Sequence, residues 1–201
     1  EKSTRVVAVQ EDRLHRPLLD LSAPLVEANQ AASMGYDGSG QNVVVLDTGV
    51  DADHPNFSGK IVAEACFAKG DPYLSGDCPN SGLFDDGEGS GSHCTYSGDC
   101  FHGTHVAGIA VGAGDSYPGV APGASLIPIQ VFSEFTGSDC GSDPSPCALS
   151  WTSDQIAALE YVFDTLRPLH SIASVNMSLG GAAYTSQADC DDDNPATKAA
   201  I

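Results

Sequence analysis

The stretch NVVVLDTGV, residues 42–50, decides the fold. It is a continuous apolar run that ends in Asp47 and Gly49, so that polar and small residues stand at its carboxyl end. A run of this kind is typical of a parallel strand that is buried on both faces. Two further segments have the same character, ASLIPIQVF at 124–132 and IASVNMSLGG at 172–181, and both predict strands.

Helical segments alternate with these predicted strands. HGTHVAGIAVG at 102–112 has small residues that allow close packing on a sheet, and TSDQIAALEYVFDTL at 152–166 combines a Thr/Ser cap with apolar residues spaced by three and four. Further helices are predicted within 20–36 and from Asn194 onward, where a cap residue precedes a proline. The alternation predicts an α/β fold with a parallel sheet.

The composition limits the classes of partner. The 201 residues fit a single domain of ordinary size. They carry 27 acidic and 8 basic side chains, a net charge of −19, and such a chain repels the phosphate backbone of nucleic acids. No apolar run approaches the roughly 20 residues that cross a membrane. We therefore expect neither nucleic acid nor a membrane as a partner.

Seven cysteines lie in loops rich in Gly, Ser, Asp and Pro, as in secreted proteins that contain disulfides. None of them forms a C-x-x-C pair, which argues against a zinc ribbon or a thioredoxin-type site. Neighbours in sequence could each close a short loop, although spacing alone does not fix the pairing. These neighbours are Cys66/Cys78, Cys94/Cys100 and Cys140/Cys147, and Cys190 is left over.

Three polar residues stand where a parallel sheet places active sites. Asp47 and Ser178 belong to the ends of predicted strands, and His102 begins a predicted helix. Because the carboxyl ends of parallel strands meet at one edge of the sheet, we expect these residues to converge there. An aspartate that orients a histidine base, with a serine as the third member, is an arrangement for nucleophilic catalysis.

Four segments resemble successive motifs of the subtilisin-like serine proteases, in the family's order: VVVLDTGVDADHPNF, HGTHVAGIAVG, GVAPGASLIPIQVF and SVNMSLGG. The match runs from about Asn42 to Gly181, and D-T-G, H-G-T-H-V-A-G and N-M-S-L-G-G together are very specific. The resemblance implies the subtilisin-like fold, with three layers around a mainly parallel central sheet. It also implies hydrolysis of peptide bonds by an Asp-His-Ser triad.

The resemblance assigns roles to individual residues. It implies that Asp47 is the triad aspartate and that His102, the first histidine of H-G-T-H, is the general base and acid. His105, one helical turn further on, would face the packing side of the helix. Gly103 would let the main chain approach the substrate cleft.

Substrate binding is expected at the end of the last predicted strand. Ser178, Leu179 and Gly180 resemble the strand that pairs with the substrate main chain and forms a wall of the first specificity pocket. The partners implied are a peptide or protein substrate and the chain's own pro-segment.

The family's nucleophile lies in a G-T-S-x-x-x-P motif, and residues 1–201 contain none. We interpret residues 21–201 as the N-terminal part of a subtilase catalytic domain, incomplete at its C-terminus and inactive alone. Cysteine-rich loop insertions are predicted at 66–100 and 138–149. RVVAVQEDRLHR resembles the last strand of a pro-segment, so residues 1–20 are interpreted as its tail and the maturation region. An edge strand of the catalytic domain is the alternative.

The implied chemistry needs no cofactor, and the identity of any metal stays open. A structural calcium ion is not supported at the family's usual positions, because Asn56 stands where an aspartate is common and residues 110–122 lack the Asn-rich run. Asp85, Asp86 and Glu88 form another acidic group, for which an exposed loop is the simpler interpretation.

The sequence also allows three interpretations other than a protease. A zinc site would use His102 and His105 with His93, Cys94 and Cys100, but H-E-x-x-H is absent and the spacing of three is poor for two ligands. A non-catalytic peptide-binding relative and a purely structural α/β domain are the others. The occurrence of the candidate residues inside full family motifs favours a secreted serine endopeptidase.

Overall fold

The computed structural model of the chain describes residues 23–70, 76–115, 117–180 and 183–201. The strand and maturation region predicted within residues 1–20 lie outside this part, as does Gly181. Inside it, α1 (Ala28–Ser33) lies within the segment 20–36, where a helix was predicted.

The three apolar segments form the centre of a five-stranded sheet. β1 (Asn42–Asp47) lies between β4 (Ser125–Gln130) and β7 (Ile172–Asn176), and both neighbours run parallel to it. β2 (Ala65–Phe67) is parallel to β4 on its other side, and β3 (Phe84–Asp85) pairs with β2 in the antiparallel sense. The order is β3-β2-β4-β1-β7, which confirms the predicted, mainly parallel sheet.

Helices cover both faces of this sheet. Successive residues of a strand point to opposite sides, so the apolar strand β1 places side chains against helices on both faces. One apolar cluster joins Val45 to α2 (His102–Val111), and the other joins Leu46 to α3 (Thr152–Tyr161). The chain continues from α3 into a single π-helical segment, Val162–Leu166. The result is three layers, helix on sheet on helix, with the core on both sides of β1.

The two cysteine-rich segments contain more regular structure than a loop. β2 and β3 both involve residues of 66–100. In the second segment β6 (Cys147–Leu149) forms an antiparallel hairpin with β5 (Ser133–Phe135). Strands of two or three residues show no period in a sequence, so the prediction missed them. The three neighbouring cysteine pairs are all disulfides and Cys190 is a free thiol, as the spacing suggested.

Two short helices, α4 (Gln187–Asp193) and α5 (Pro195–Ala200), follow β7. Asn194 occupies the N-cap position of α5 ahead of its proline, which confirms the predicted helix start. The Asn194 amide group donates to the carbonyl oxygen of Cys190 and does not cap α5. Of the helices in the described part of the chain, none is long and apolar enough to span a membrane.

Candidate active site

Asp47 and His102 form a hydrogen-bonded pair at the carboxyl end of β1. Asp47 is completely buried, and its Oδ1 accepts the N–H of Thr48 at 2.7 Å. Nδ1 of His102 lies 2.8 Å from Oδ1 and 3.0 Å from Oδ2 of the same carboxylate. A carboxylate accepts but does not donate, so Nδ1 carries a proton and Nε2 of the neutral ring does not. The His102 side chain is 50% exposed, so the ring is accessible from the solvent.

The start of α2 lies against the tip of β1 because residue 103 is a glycine. A Cβ at Gly103 would lie 2.3 Å from the carbonyl oxygen of Gly49 and 3.1 Å from Cβ of Asp47. The sequence predicted that Gly103 lets the main chain approach the substrate cleft. In the structure its missing side chain makes room for β1 instead, and so brings His102 within reach of Asp47.

Thr48 is a site residue that the sequence analysis did not single out. It is 2% exposed, and its hydroxyl donates to the carbonyl oxygen of Cys100 at 3.0 Å. The same hydroxyl oxygen accepts the N–H of Gly103 at 3.0 Å. These contacts join residues more than fifty positions apart in the chain, so no local signal in the D-T-G segment could have revealed them.

His102 lines a groove of about 1250 Å³ at this edge of the sheet. Ser178, Leu179 and Gly180 line the same groove, so the structure brings the predicted substrate-binding residues together with the predicted base. Ser178 and Gly180 are exposed and Leu179 is half-buried. The Ser178 hydroxyl donates to Oδ1 of Asn176 at 2.9 Å.

The second cysteine-rich segment forms another part of the groove wall. Asp139 and Leu149 from this segment line the groove, together with Phe135 and Trp151 beside it. The rings of Phe135 and Trp151 pack with their centroids 5.5 Å apart, and the indole N–H donates to the carbonyl oxygen of Gly70 at 2.9 Å. The hairpin and its disulfide therefore shape the groove, which the sequence could indicate only as an insertion.

His105 is exposed, so the prediction that it faces the packing side is wrong. The buried face of α2 is formed by Gly103, Ala107 and Val111, which are spaced by four residues. His105 lies halfway between two of them and therefore points away from the sheet.

The structure does not bring the residues of the zinc alternative together as ligands. The sulfur atoms of Cys94 and Cys100 are joined in a disulfide and are not thiolate ligands. His93 packs against the ring of Phe101, with centroids 5.2 Å apart. Within the described ranges, no group of three or more His, Cys, Asp or Glu side chains is placed to hold a metal ion.

Burial shifts the pKa values of two titratable side chains, Asp154 and Tyr96. Desolvation raises the pKa of Asp154, and the N–H and charge of Lys69 offset part of that rise. Desolvation also raises the pKa of Tyr96 well above its ordinary value of 10.0, with the charges of Asp77 and Glu134 acting in the same direction. Of these two groups, Asp154 is the one whose protonation changes in a pH range that stability measurements can reach.

The geometry can be compared with known proteins. A family model described as the Subtilase family matches residues 38–201. The chain belongs to the subtilase family. Over 161 residues it is 30% identical to "Subtilisin" of Bacillus sp. (strain TA39), covering 79% of this chain and 31% of that relative. Over 126 residues it is 35% identical to "Minor extracellular protease Vpr" of Bacillus subtilis (strain 168), covering 62% of this chain and 14% of that relative.

Solved structures support the same fold for this subtilase. "S41 Psychrophilic Protease" is 28% identical with a TM-score of 0.51, covering 81% of this chain and 43% of that structure. "Sphericase" is 24% identical with a TM-score of 0.53, covering 82% and 42%, and shows the fold alone. The predicted subtilisin-like α/β fold is confirmed. The chain spans about a third or less of the length of the two relatives named above, the Bacillus subtilisin and the Vpr protease.

Proposed function

We propose that this subtilase chain carries the aspartate and the histidine of the catalytic triad of a secreted serine endopeptidase. The observation that carries the proposal is the 2.8 Å contact between Oδ1 of Asp47 and Nδ1 of His102. His102 would take the serine proton at Nε2 during attack on the peptide carbonyl and return it to the leaving amine. Asp47 would hold the ring in this orientation and stabilise the imidazolium.

The serine would come from sequence outside residues 1–201, which contain no G-T-S-x-x-x-P motif. The groups that bind the oxyanion would lie outside them as well. Residues 1–201 by themselves should therefore not hydrolyse peptides. We assign residues 21–201 to the N-terminal part of the catalytic domain and residues 1–20 to the tail of the pro-segment and the maturation region.

The groove would bind an extended peptide beside His102. Ser178, Leu179 and Gly180 would hydrogen-bond to the substrate main chain, since they follow a strand and two of them are exposed. The pro-segment would occupy the same groove before maturation. Three disulfides support an extracellular location. The proposed chemistry needs no cofactor, and a structural calcium ion is possible but has no support at the family's usual positions.

Peptide hydrolysis by the natural gene product that contains residues 1–201 tests this proposal. His102→Ala should lower kcat/KM on the order of 10⁶-fold, as expected for a triad histidine. His105→Ala is the matched control, because His105 is exposed on the same helix and should leave the rate unchanged.

Two results would contradict the proposal. One is hydrolysis that survives His102→Ala. The other is a natural product that binds peptides in the groove without cleaving them, which would make the chain a non-catalytic peptide-binding relative. Cleavage by residues 1–201 alone would show instead that a nucleophile lies among them.

A further inference from the structure

The ring closed by the Cys94–Cys100 disulfide is attached at both ends to Thr48, the residue that follows Asp47. The N–H of Cys94 donates to the carbonyl oxygen of Thr48 at 3.0 Å. The hydroxyl of Thr48 donates to the carbonyl oxygen of Cys100, also at 3.0 Å. Cys94 and Cys100 are 7% and 1% exposed. The disulfide and the two hydrogen bonds therefore form one buried, cross-linked unit with the tip of β1.

This ring leads directly into the helix that carries His102. Gly98–Phe101 is a 3₁₀ turn, and the hydroxyl of Ser97 accepts the N–H of Asp99 at its start. His102 follows the turn with right-handed helical dihedral angles, so no flexible segment separates it from Cys100. The position of the His102 main chain therefore depends on where the ring is held.

The imidazole of His102 depends strongly on that position. Within the described residues the imidazole is hydrogen-bonded to Asp47, and half of the His102 side chain is exposed. A catalytic base with a single hydrogen-bond partner depends on the position of its main chain. Catalytic geometry tolerates displacements of only about 0.5 Å, so the His102 main chain must be fixed to within a fraction of an ångström.

We propose that the Cys94–Cys100 ring, fastened to Thr48, is a positioning device that holds His102 at hydrogen-bonding distance from Asp47. The cysteines and Thr48 are positioning residues, since they act through the main chain of α2. The inference rests on the proposed function for its consequence in catalysis. Its structural content, the state of the His102 ring, can be measured without any peptide hydrolysis.

The test is nitrogen-15 NMR of the histidine-labelled natural gene product that contains residues 1–201, with the His102 signals assigned by their loss in a His102→Gln variant. In mildly alkaline buffer imidazole rings are neutral, and the nitrogen shifts report which ring nitrogen carries the proton. The wild type should show His102 as the Nδ1–H tautomer with a low-field proton signal from the bond to Asp47. C94S/C100S should lose that proton signal and shift toward a mixture of tautomers.

The matched control is C140S/C147S. It opens a ring of nearly the same size, with a sequence separation of 7 rather than 6, in the β5–β6 hairpin. Opening either ring therefore removes a similar constraint on the chain. The Cys140–Cys147 ring, however, belongs to a different element from the Cys94–Cys100 ring. This variant should keep the wild-type His102 signals. A folded C94S/C100S variant with the wild-type signals would overturn the proposal.

A second pair of variants keeps the test decisive if C94S/C100S does not fold. Thr48→Val keeps the shape of the side chain and removes the hydroxyl that bonds Cys100 and Gly103. Thr48→Ser keeps the hydroxyl. We expect the low-field proton signal to be lost in Thr48→Val and retained in Thr48→Ser, and its survival in Thr48→Val would overturn the proposal. If the signals respond as expected while the natural product fails to cleave peptides, only the proposed function fails.

Discussion

β1 and β7 are neighbours in the sheet and both end at the groove, but they are held in different ways. β1 is buried from Val43 to Asp47, whereas β7 is exposed over 173–175 and lies at an edge of the described sheet. The tip of β1 therefore meets the groove fixed by packing, which suits chemistry that needs fixed side chains. The side of β7 away from β1 is open in the described residues, and it is where the remainder of the proposed catalytic domain would pack.

The largest difference is expected when each strand loses one apolar side chain. Leu46→Ala on β1 removes a completely buried side chain, so the free energy of unfolding should fall by about 2–5 kcal/mol. Val175→Ala on β7 removes a side chain that is 36% exposed and should cost less than about 1 kcal/mol. Urea unfolding of both variants beside the wild type measures these changes. Equal losses of unfolding free energy would contradict the contrast between the two strands, because β7 would then be as well packed in solution as β1.

The same contrast explains what the sequence could predict. β1, β4 and β7 are long apolar runs, and α2 and α3 have helical spacing or small-residue faces, so each is encoded within its own segment. The pairing of Asp47 with His102 followed from two motifs, each of which is local. The convergence of both with Ser178 followed from the rule that parallel strands end at one edge.

What could not be predicted depends on contacts between distant segments. The hydroxyl of Thr48 matters because Cys100 and Gly103 approach it, and neither is close to it in sequence. The β5–β6 hairpin is three residues on each side and has no period to detect. The prediction for His105 was wrong because residues three apart share a helix face, so His105 lies on the exposed side with His102, whereas Gly103, Ala107 and Val111 form the buried side.

Two glycines of α2 differ in how closely they approach the tip of β1. Gly103→Ala places a methyl group 2.3 Å from the carbonyl oxygen of Gly49, so the free energy of unfolding should fall by about 1–3 kcal/mol as α2 moves away from β1. Gly108→Ala meets nothing within 4 Å, and alanine in a helix interior should raise it by about 0.5–1 kcal/mol. Thermal or urea unfolding measures both. The same sign for the two variants would show that α2 does not lie against β1 as described.

The smallest effect concerns two acidic side chains, Asp47 at the tip of β1 and Asp154 at the start of α3. Both are buried, but Asp47 contacts Thr48 and His102, whereas the recorded hydrogen bond to Asp154 comes from the N–H of Lys69 at 3.1 Å. Desolvation raises the pKa of Asp154 above its ordinary value of 3.8. The folded state thus binds a proton more readily than the unfolded state, and this group makes the protein less stable as pH rises through that window.

Asp154→Asn should remove this penalty, because asparagine has the same shape and does not ionise. The melting temperature of the variant minus that of the wild type should therefore increase as pH rises above about 4. Asp191→Asn is the control of opposite sign, since the hydrogen bond from Lys198 lowers the pKa of Asp191 and its ionised form stabilises the folded chain. Its difference from the wild type should decrease as pH rises toward about 4, because a lowered pKa places the change below the ordinary value of 3.8. Parallel slopes for the two variants would mean that the net charge of −19, rather than burial at the start of α3, sets the response of the chain to pH.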